Sequence, residues 1–317
     1  MPSNSLRLLD ANVNRASEGL RVLEDLSRFV VNNHALSMEL KRVRHEIATL
    51  IQPLSAQLLS CRDSVADVGR ESDLRAGVPA GDFLAVVRAN AKRAEESFRV
   101  IEEFARLPEI GSCIRVVDIE RLRYATYDIE KRLSGCILRK ERAQSVRGLY
   151  VVVDRDAAGT RSLLTIASEA IAGGASVIQL RDKTGSKAEV YRAAVRLNAL
   201  CVEKGVLFVM NDHVDVAAAV EAAAVHVGQD DLPLKVVRGL LPIDTIVGVS
   251  CRTEEDVRIA QEDGADYIAV GAVFPTSQKE DSEPLGVDFL KHVRGLIPDI
   301  PLCAIGGIGP GNLEEVV

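Results

Sequence analysis

The chain has 317 residues, 47% of them hydrophobic and 27% charged, with a formal net charge of −7. That composition excludes a mainly disordered chain, and the negative charge argues against a general nucleic-acid binder. No apolar run approaches the roughly 20 residues of a membrane helix, and the start MPSNSLRLLD lacks a basic segment followed by an apolar run, so a cytoplasmic protein is expected.

Aromatics are only 4% and Trp is absent, so Leu, Val, Ile and Ala must build the core. Six cysteines (Cys61, Cys113, Cys136, Cys201, Cys251 and Cys303) are scattered without a CxxC pair, which reads as reduced thiols and not as a disulfide framework or zinc site. Charge and glycine divide the chain. Residues 1–147 carry 24 Lys+Arg, 21 Asp+Glu and 6 Gly; the rest carries 15, 25 and 17. Few glycines suit long helices, whereas regularly spaced ones suit many strand–helix turns. We therefore read an all-α domain over 1–142 and a second domain over 147–317, the junction lying just before GLYVVVD.

In the first domain Leu6, Leu9, Val13, Ala16, Leu20, Leu23 and Leu26 recur at steps of three and four, one face of a long helix. Leu84, Val87, Ala91, Ala94, Phe98, Ile101 and Phe104 repeat that pattern at a constant offset of 78, as do Asn12/Asn90, Arg15/Arg93, Glu18/Glu96, Arg21/Arg99, Glu24/Glu102 and Arg28/Arg106. LKRVRHEI (40–47) echoes IERLRYAT (119–126) at offset 79. Two copies of a helical hairpin forming an all-α bundle are predicted. The repeated charges have a plain reading as helix pairs, Glu18 with Arg21 and Glu24 with Arg28. They also have a functional one, a ligand site between the copies built from Asn12, Arg15, Asn90 and Arg93. In the polar stretch between the copies, Asp63 and Asp67 are either metal ligands or solvated loop carboxylates.

From Gly148 onward apolar runs alternate with helical patterns. Strands are predicted at 149–154, 176–182, 206–212, 224–229, 246–251, 267–273 and 301–307, with glycines closing the helices between them. Successive β-then-α units argue for parallel strands and a TIM-type (β/α)8 barrel, with a doubly wound open sheet as the alternative. Seven strands are one short of eight, so the barrel is expected to be truncated before strand eight.

The strand ends are polar where barrel chemistry sits. Gln179, Arg181 and Lys183 alternate and suit a polyanion. Asn211 and Asp212 end strand three, and Asp230 and Asp231 follow strand four; carboxylates there suit Mg2+ beside substrate phosphates. Ser250 ends strand five, and Thr276, Ser277, Gln278 and Lys279 follow strand six. GGIGPGN after strand seven offers backbone N–H groups and a helix N-terminus to a phosphate. His213 and His226 lack a second His at ligand spacing and read as structural.

QLRDK (179–183), ND (211–212), HVGQDD (226–231), GVS (248–250), FPTSQK (274–279) and AIGGI (304–308) resemble the thiamine-phosphate synthase family over about residues 147–317. That resemblance implies coupling of a hydroxymethylpyrimidine diphosphate to a thiazole phosphate with release of pyrophosphate. It implies that Gln179, Arg181, Lys183, Asn211 and Ser250 bind the pyrimidine diphosphate and that Asp212 and Asp231 bind Mg2+. Lys279 would hold the diphosphate, Thr276 the thiazole phosphate, and Gly307 would help cradle it. Gln278 replaces the second hydroxyl residue common in the family. A thiazole tautomerase shares the barrel but relies on a His where this chain has Arg252. The helical part, with NRASEGLRVLEDLSRF and NAKRAEESFRVIEEFARL, resembles a domain fused in front of such synthases and associated with phosphorylating the pyrimidine phosphate, which implies ATP. No GxxxxGK[ST] loop supports that chemistry independently, and a non-catalytic dimerisation module stays open. The implied partners are these small molecules, with neither nucleic acid nor membrane, and a homodimer is left open.

Overall fold

The computed structural model describes residues 3–62, 81–276 and 283–317. The chain divides into two compact units, Met1–Leu138 and Arg139–Val317. No helix among the described residues is long and apolar enough to cross a membrane.

The first unit is helical. Helix α1 (Ser3–Asp25) runs into a π-helical turn (Leu26–Val30), where the periodicity alone predicts one uninterrupted helix. Helix α2 (His34–Ile51) starts at Asn33, whose side chain accepts from the Leu36 N–H at 3.0 Å. A short helix α3 (Ser55–Cys61) follows. Helix α4 (Phe83–Ala105) is capped by Asp82, which accepts from Ala85 N–H at 2.7 Å, and α5 spans Val116–Ala143. The repeated apolar face is buried in both copies: Leu9, Ala16, Leu20 and Leu23 in α1, and Val87, Ala94, Phe98 and Ile101 in α4, all share one core. Helices α1 and α4 cross closely at Gly19, where a Cβ would lie 2.7 Å from the Asn90 carbonyl oxygen. A side chain there would push the helices apart.

The repeated glutamates Glu24 and Glu102 turn out to bind across helices as well as locally. Glu24 accepts from Arg44 Nε at 2.9 Å and from Arg21 at 3.4 Å; Glu102 accepts from Arg123 Nε at 2.6 Å and from Arg99 at 2.9 Å. Each buried carboxylate thus bridges an arginine on its own helix to one on the next helix of the same hairpin. This corrects the local pairing expected from spacing, because the partner that matters for Glu24 is Arg44 and not Arg28. The i,i+3 neighbour of Arg21 that it binds is Glu24, with Asp25 one turn on.

The second unit is a seven-stranded parallel sheet in the order β1-β2-β3-β4-β5-β6-β7. The strands are β1 (Leu149–Asp154), β2 (Ala175–Arg181), β3 (Leu207–Asn211), β4 (Ala224–Val227), β5 (Ile246–Cys251), β6 (Tyr267–Gly271) and β7 (Leu302–Ile305). Chain order equals spatial order throughout, so the winding is that of a barrel; a doubly wound sheet would reverse direction from an interior strand. Helices lie between the strands. Helix α6 (Leu163–Ala172) follows β1, and α7 (Lys187–Lys204) carries a capping box of Ser186 and Glu189 and ends at Gly205, whose φ of +66° is left-handed. Ile178, Leu180, Phe208, Met210, Val225, Val247, Ile268 and Val270 pack outward against the helices, whereas Val177, Val209, Ala224, Ile246 and Tyr267 form a separate interior cluster.

Candidate active site at the strand ends

Strand β2 ends at Arg181, so Gln179 and Arg181 lie on the strand while Lys183 belongs to the loop beyond it. Gln179 is buried and donates through Nε2 to the Tyr150 hydroxyl at 2.7 Å. The Arg181 guanidinium donates to Asp154 at the end of β1, its register partner. Burial works to raise the Asp154 carboxyl, but the Ala157 N–H and Arg181 outweigh it and hold the carboxyl below its ordinary range. Asp154 therefore stays ionised and fixes Arg181. Asp182, between the two predicted cations, faces the other way. It is buried, binds Arg155 and accepts from Gly185 N–H at 2.8 Å.

Asn211, the last residue of β3, is buried beside His226 in register. Asp212 follows with φ +60°, a left-handed conformation that Asp tolerates better than most residues. The structure brings its carboxyl against that of Asp231. Burial, then Asp231, raises Asp212, with Lys183 Nζ at 3.4 Å opposing the rise. Asp231 also caps its own turn, accepting from Gly228 N–H at 2.7 Å, while Asp230 is exposed. Two crowded carboxylates with one lysine are a donor set short of positive charge, the condition that a divalent cation relieves. Among the described residues no group of three or more His, Cys, Asp or Glu could hold a metal. Oxygens of substrate and water would have to complete the sphere, as Mg2+ commonly requires.

Ser250 lies near the end of β5 with its Oγ 2.8 Å from His226 Nε2. Arg252 spans to the Gly271 and Glu283 carbonyls at 3.1 and 3.2 Å. Thr276 is half-buried, and the turn after β7 backs onto its loop: Phe274 N–H donates to Gly306 O at 3.0 Å, and a Cβ at Gly307 (φ +68°) would lie 2.5 Å from the Pro275 oxygen. Only glycine fits there. A 3-10 turn (Leu313–Glu315) follows GGIGPGN, and Asn312 closes the glycine turn by accepting from Gly309 N–H at 2.7 Å and donating to Gly307 O at 2.9 Å. Ser277, Gln278 and Lys279, like Asp63 and Asp67, lie outside the described residues.

The sequence reading missed three groups. Asp154 passed for the end of an apolar strand, and Asn312 for part of a loop. His226, read as structural, sits in the strand-end site with both ring nitrogens engaged, Nδ1 by the Tyr267 hydroxyl at 3.0 Å. An alternation of polar residues inward from β1, β2, β4 and β6 was the available signal.

In the first unit Asn12 and Asn90 donate to the carbonyls of Leu8 and Val86, one turn back, at 2.9 and 2.8 Å, and Arg15 and Arg93 are exposed. The asparagine amides are thereby committed to their own helices. Nearby on α4, Glu95 is 4% exposed, and its Oε1 has no hydrogen-bond partner among the described residues. Burial, then Glu130, pushes its carboxyl up to about 7.

Comparisons with known proteins match two families along the chain. A family model described as thiamine monophosphate synthase matches residues 149–317, and a ThiD2 family model matches residues 7–132. A thiamine-phosphate synthase from Synechocystis is 37% identical over 318 residues, covering 100% of this chain and 88% of the relative. One from Synechococcus is 38% identical, covering 98% and 87%. A solved thiamine phosphate pyrophosphorylase from Pyrococcus furiosus is 35% identical with a TM-score of 0.50, covering 55% of this chain and 82% of that one.

Proposed function

Because the chain belongs to the thiamine monophosphate synthase family, we propose that its second unit couples 4-amino-2-methyl-5-hydroxymethylpyrimidine diphosphate to 4-methyl-5-(2-hydroxyethyl)thiazole phosphate. The products are thiamine phosphate and pyrophosphate. The observation that carries this reading is the convergence, at one rim of the sheet, of Arg181 and Lys183, the paired carboxyls of Asp212 and Asp231, and the glycine turn at Gly307. That rim is read as the mouth of a TIM-type (β/α)8 barrel, with the described sheet supplying seven of its strands.

Each residue then has a task. Gln179, Asn211 and Ser250 orient the pyrimidine ring. Arg181, held by Asp154, and Lys183 neutralise charge that grows on the diphosphate as its C–O bond breaks, and Lys279 is proposed to do the same. Asp212 and Asp231 would hold Mg2+, which supplies further charge neutralisation to the leaving group. Thr276, Gln278 and Gly307 would position the thiazole phosphate so that the ring nitrogen attacks the pyrimidine methylene carbon. The 4-amino group can stabilise positive charge at that carbon, which favours a dissociative path. No covalent nucleophile is called for.

For the first unit the ThiD2 match supports a second activity, ATP-dependent phosphorylation of the pyrimidine phosphate, which would make the protein bifunctional. Arg15 and Arg93, exposed and related by the repeat, are the proposed phosphate contacts; Asn12 and Asn90 are proposed only through their remaining amide oxygens. Asp63 and Asp67 remain proposed metal contacts. Pyrophosphate release from the two substrates with Mg2+ tests the first activity. ATP turnover with the pyrimidine phosphate tests the second, and a chain with neither activity refutes both.

A further inference from the structure

A continuous file of hydrogen bonds crosses the interior of the sheet and joins two proposed substrate contacts. Gln179 Nε2 donates to Tyr150 Oη at 2.7 Å, Tyr150 Oη meets Tyr267 Oη at 3.0 Å, Tyr267 Oη meets His226 Nδ1 at 3.0 Å, and His226 Nε2 meets Ser250 Oγ at 2.8 Å. Gln179, His226 and Tyr267 are all buried. The residues come from β2, β1, β6, β4 and β5, so no local sequence pattern contains them together.

Each phenol has one proton to give, so the direction of one bond sets all the others. Tyr150 accepts from Gln179, and Tyr267 Oη is the other hydrogen-bond partner of its hydroxyl, so its own proton is satisfied by going there. Tyr267 then spends its proton on His226 Nδ1. An imidazole that accepts at Nδ1 carries its proton on Nε2, which donates to Ser250 Oγ. The serine oxygen accepts, and the Ser250 proton is left to point elsewhere. Burial raises both phenols well above their ordinary range, so neither loses its proton at working pH.

We propose that Gln179, acting through Tyr150, Tyr267 and His226, sets the Ser250 hydroxyl as a donor toward the substrate, so that the site selects a ligand offering a lone pair there, such as an unprotonated ring nitrogen. Tyr150, Tyr267 and His226 are positioning residues in this arrangement. The proposal rests on the reading of Ser250 as a substrate contact. A site so wired discriminates against an analogue presenting N–H at that point, because two donors would face each other.

The test uses the full chain labelled with 15N-histidine, the His226 signals being those lost in His226→Gln. The expected spectrum shows the Nε2–H tautomer in the wild type and loss of that fixed pattern in Tyr267→Phe, which keeps the ring and removes only the hydroxyl. An Nδ1–H tautomer in the wild type reverses every bond in the file and overturns the proposal. Kinetics give the second arm. Tyr267→Phe is expected to lower kcat/KM for pyrophosphate release about 10- to 100-fold, yet less than about twofold when Ser250 is already Ala. Multiplying losses would show that Tyr267 acts by another route and overturn it as well. If the wild type releases no pyrophosphate, the coupling reading fails, while the tautomer arm still decides the wiring.

Discussion

Gly248→Ala tests the interior packing most sharply. A Cβ at position 248 would lie 2.0 Å from Tyr267 Cζ and 2.2 and 2.4 Å from the two Cε atoms. Ordinary contact begins near 3.4 Å, so the ring would have to retreat by more than an ångström. It has nowhere to go: Tyr267 is 0% exposed, and its hydroxyl is held by Tyr150 and His226. Overpacking a core costs about 1–3 kcal/mol, and each of two lost hydrogen bonds adds about 1 kcal/mol, so about 3–5 kcal/mol is expected. Guanidinium unfolding followed by near-ultraviolet circular dichroism, which here reports tyrosine, measures it. The double variant Gly248→Ala/Tyr267→Leu should recover most of the stability, because the added methyl then meets a shorter side chain, but none of the coupling activity. A single variant within about 1 kcal/mol of wild type, or a double variant no more stable than the single, would refute the reasoning.

Four further outcomes follow from the geometry. Asp212→Asn and Asp231→Asn should each lower pyrophosphate release by about 100-fold or more with the fold retained by circular dichroism; wild-type rates would remove both from the site. Lys183→Ala should cost far more rate than Lys187→Ala, since Lys187 Nζ turns to Asp215 and His213 at 3.1 and 3.0 Å on an exposed surface; equal small effects would contradict this. Glu102→Gln should destabilise the helical unit by about 3–5 kcal/mol and Glu24→Gln by less, because Glu102 and Arg123 are 1% and 12% exposed against 8% and 25% for Glu24 and Arg44; hydrogen exchange of helical-unit peptides in the full chain gives the ranking. Glu95, raised from 4.5 to about 7, binds its proton more tightly folded than unfolded, so the helical unit should lose stability as pH rises from about 4.5 through 7. Glu95→Gln should flatten that dependence, and an unchanged pH profile would rule out Glu95 as its source.

The alternation of apolar strands with glycine-closed helices was readable to within one residue for β1, β2, β3 and β5, because strand ends there coincide with a change from Val, Ile and Leu to polar or charged residues. Strands β4, β6 and β7 end earlier than expected: Gly228, Ala272 and Gly306 carry no polar signal that the ladder has stopped. The proposed contacts Arg181, Lys183, Asp212 and Asp231 could be named from the sequence because they follow apolar runs at the strand ends where barrel chemistry sits. The Tyr150–Tyr267–His226 file was not, because aromatic residues inside apolar strands look like core until tertiary structure shows their hydroxyls facing one another. The duplication was plain from the offset of 78. Its meaning was not, since spacing pairs Glu24 with Arg28, and only the fold of the hairpin delivers Arg44.

Those two arginine–glutamate bridges bear on how the helical unit is assembled in time. Each closes within its own hairpin, over 20 residues for Glu24–Arg44 and 21 for Arg123–Glu102. Contacts that near in sequence form early, since little loop entropy is lost in closing them. The crossing of α1 and α4 at Gly19 and Asn90 joins segments some seventy residues apart and belongs to a later step. On that ground each half-unit is expected to close before the two dock, with Gly19 setting how closely α1 and α4 approach.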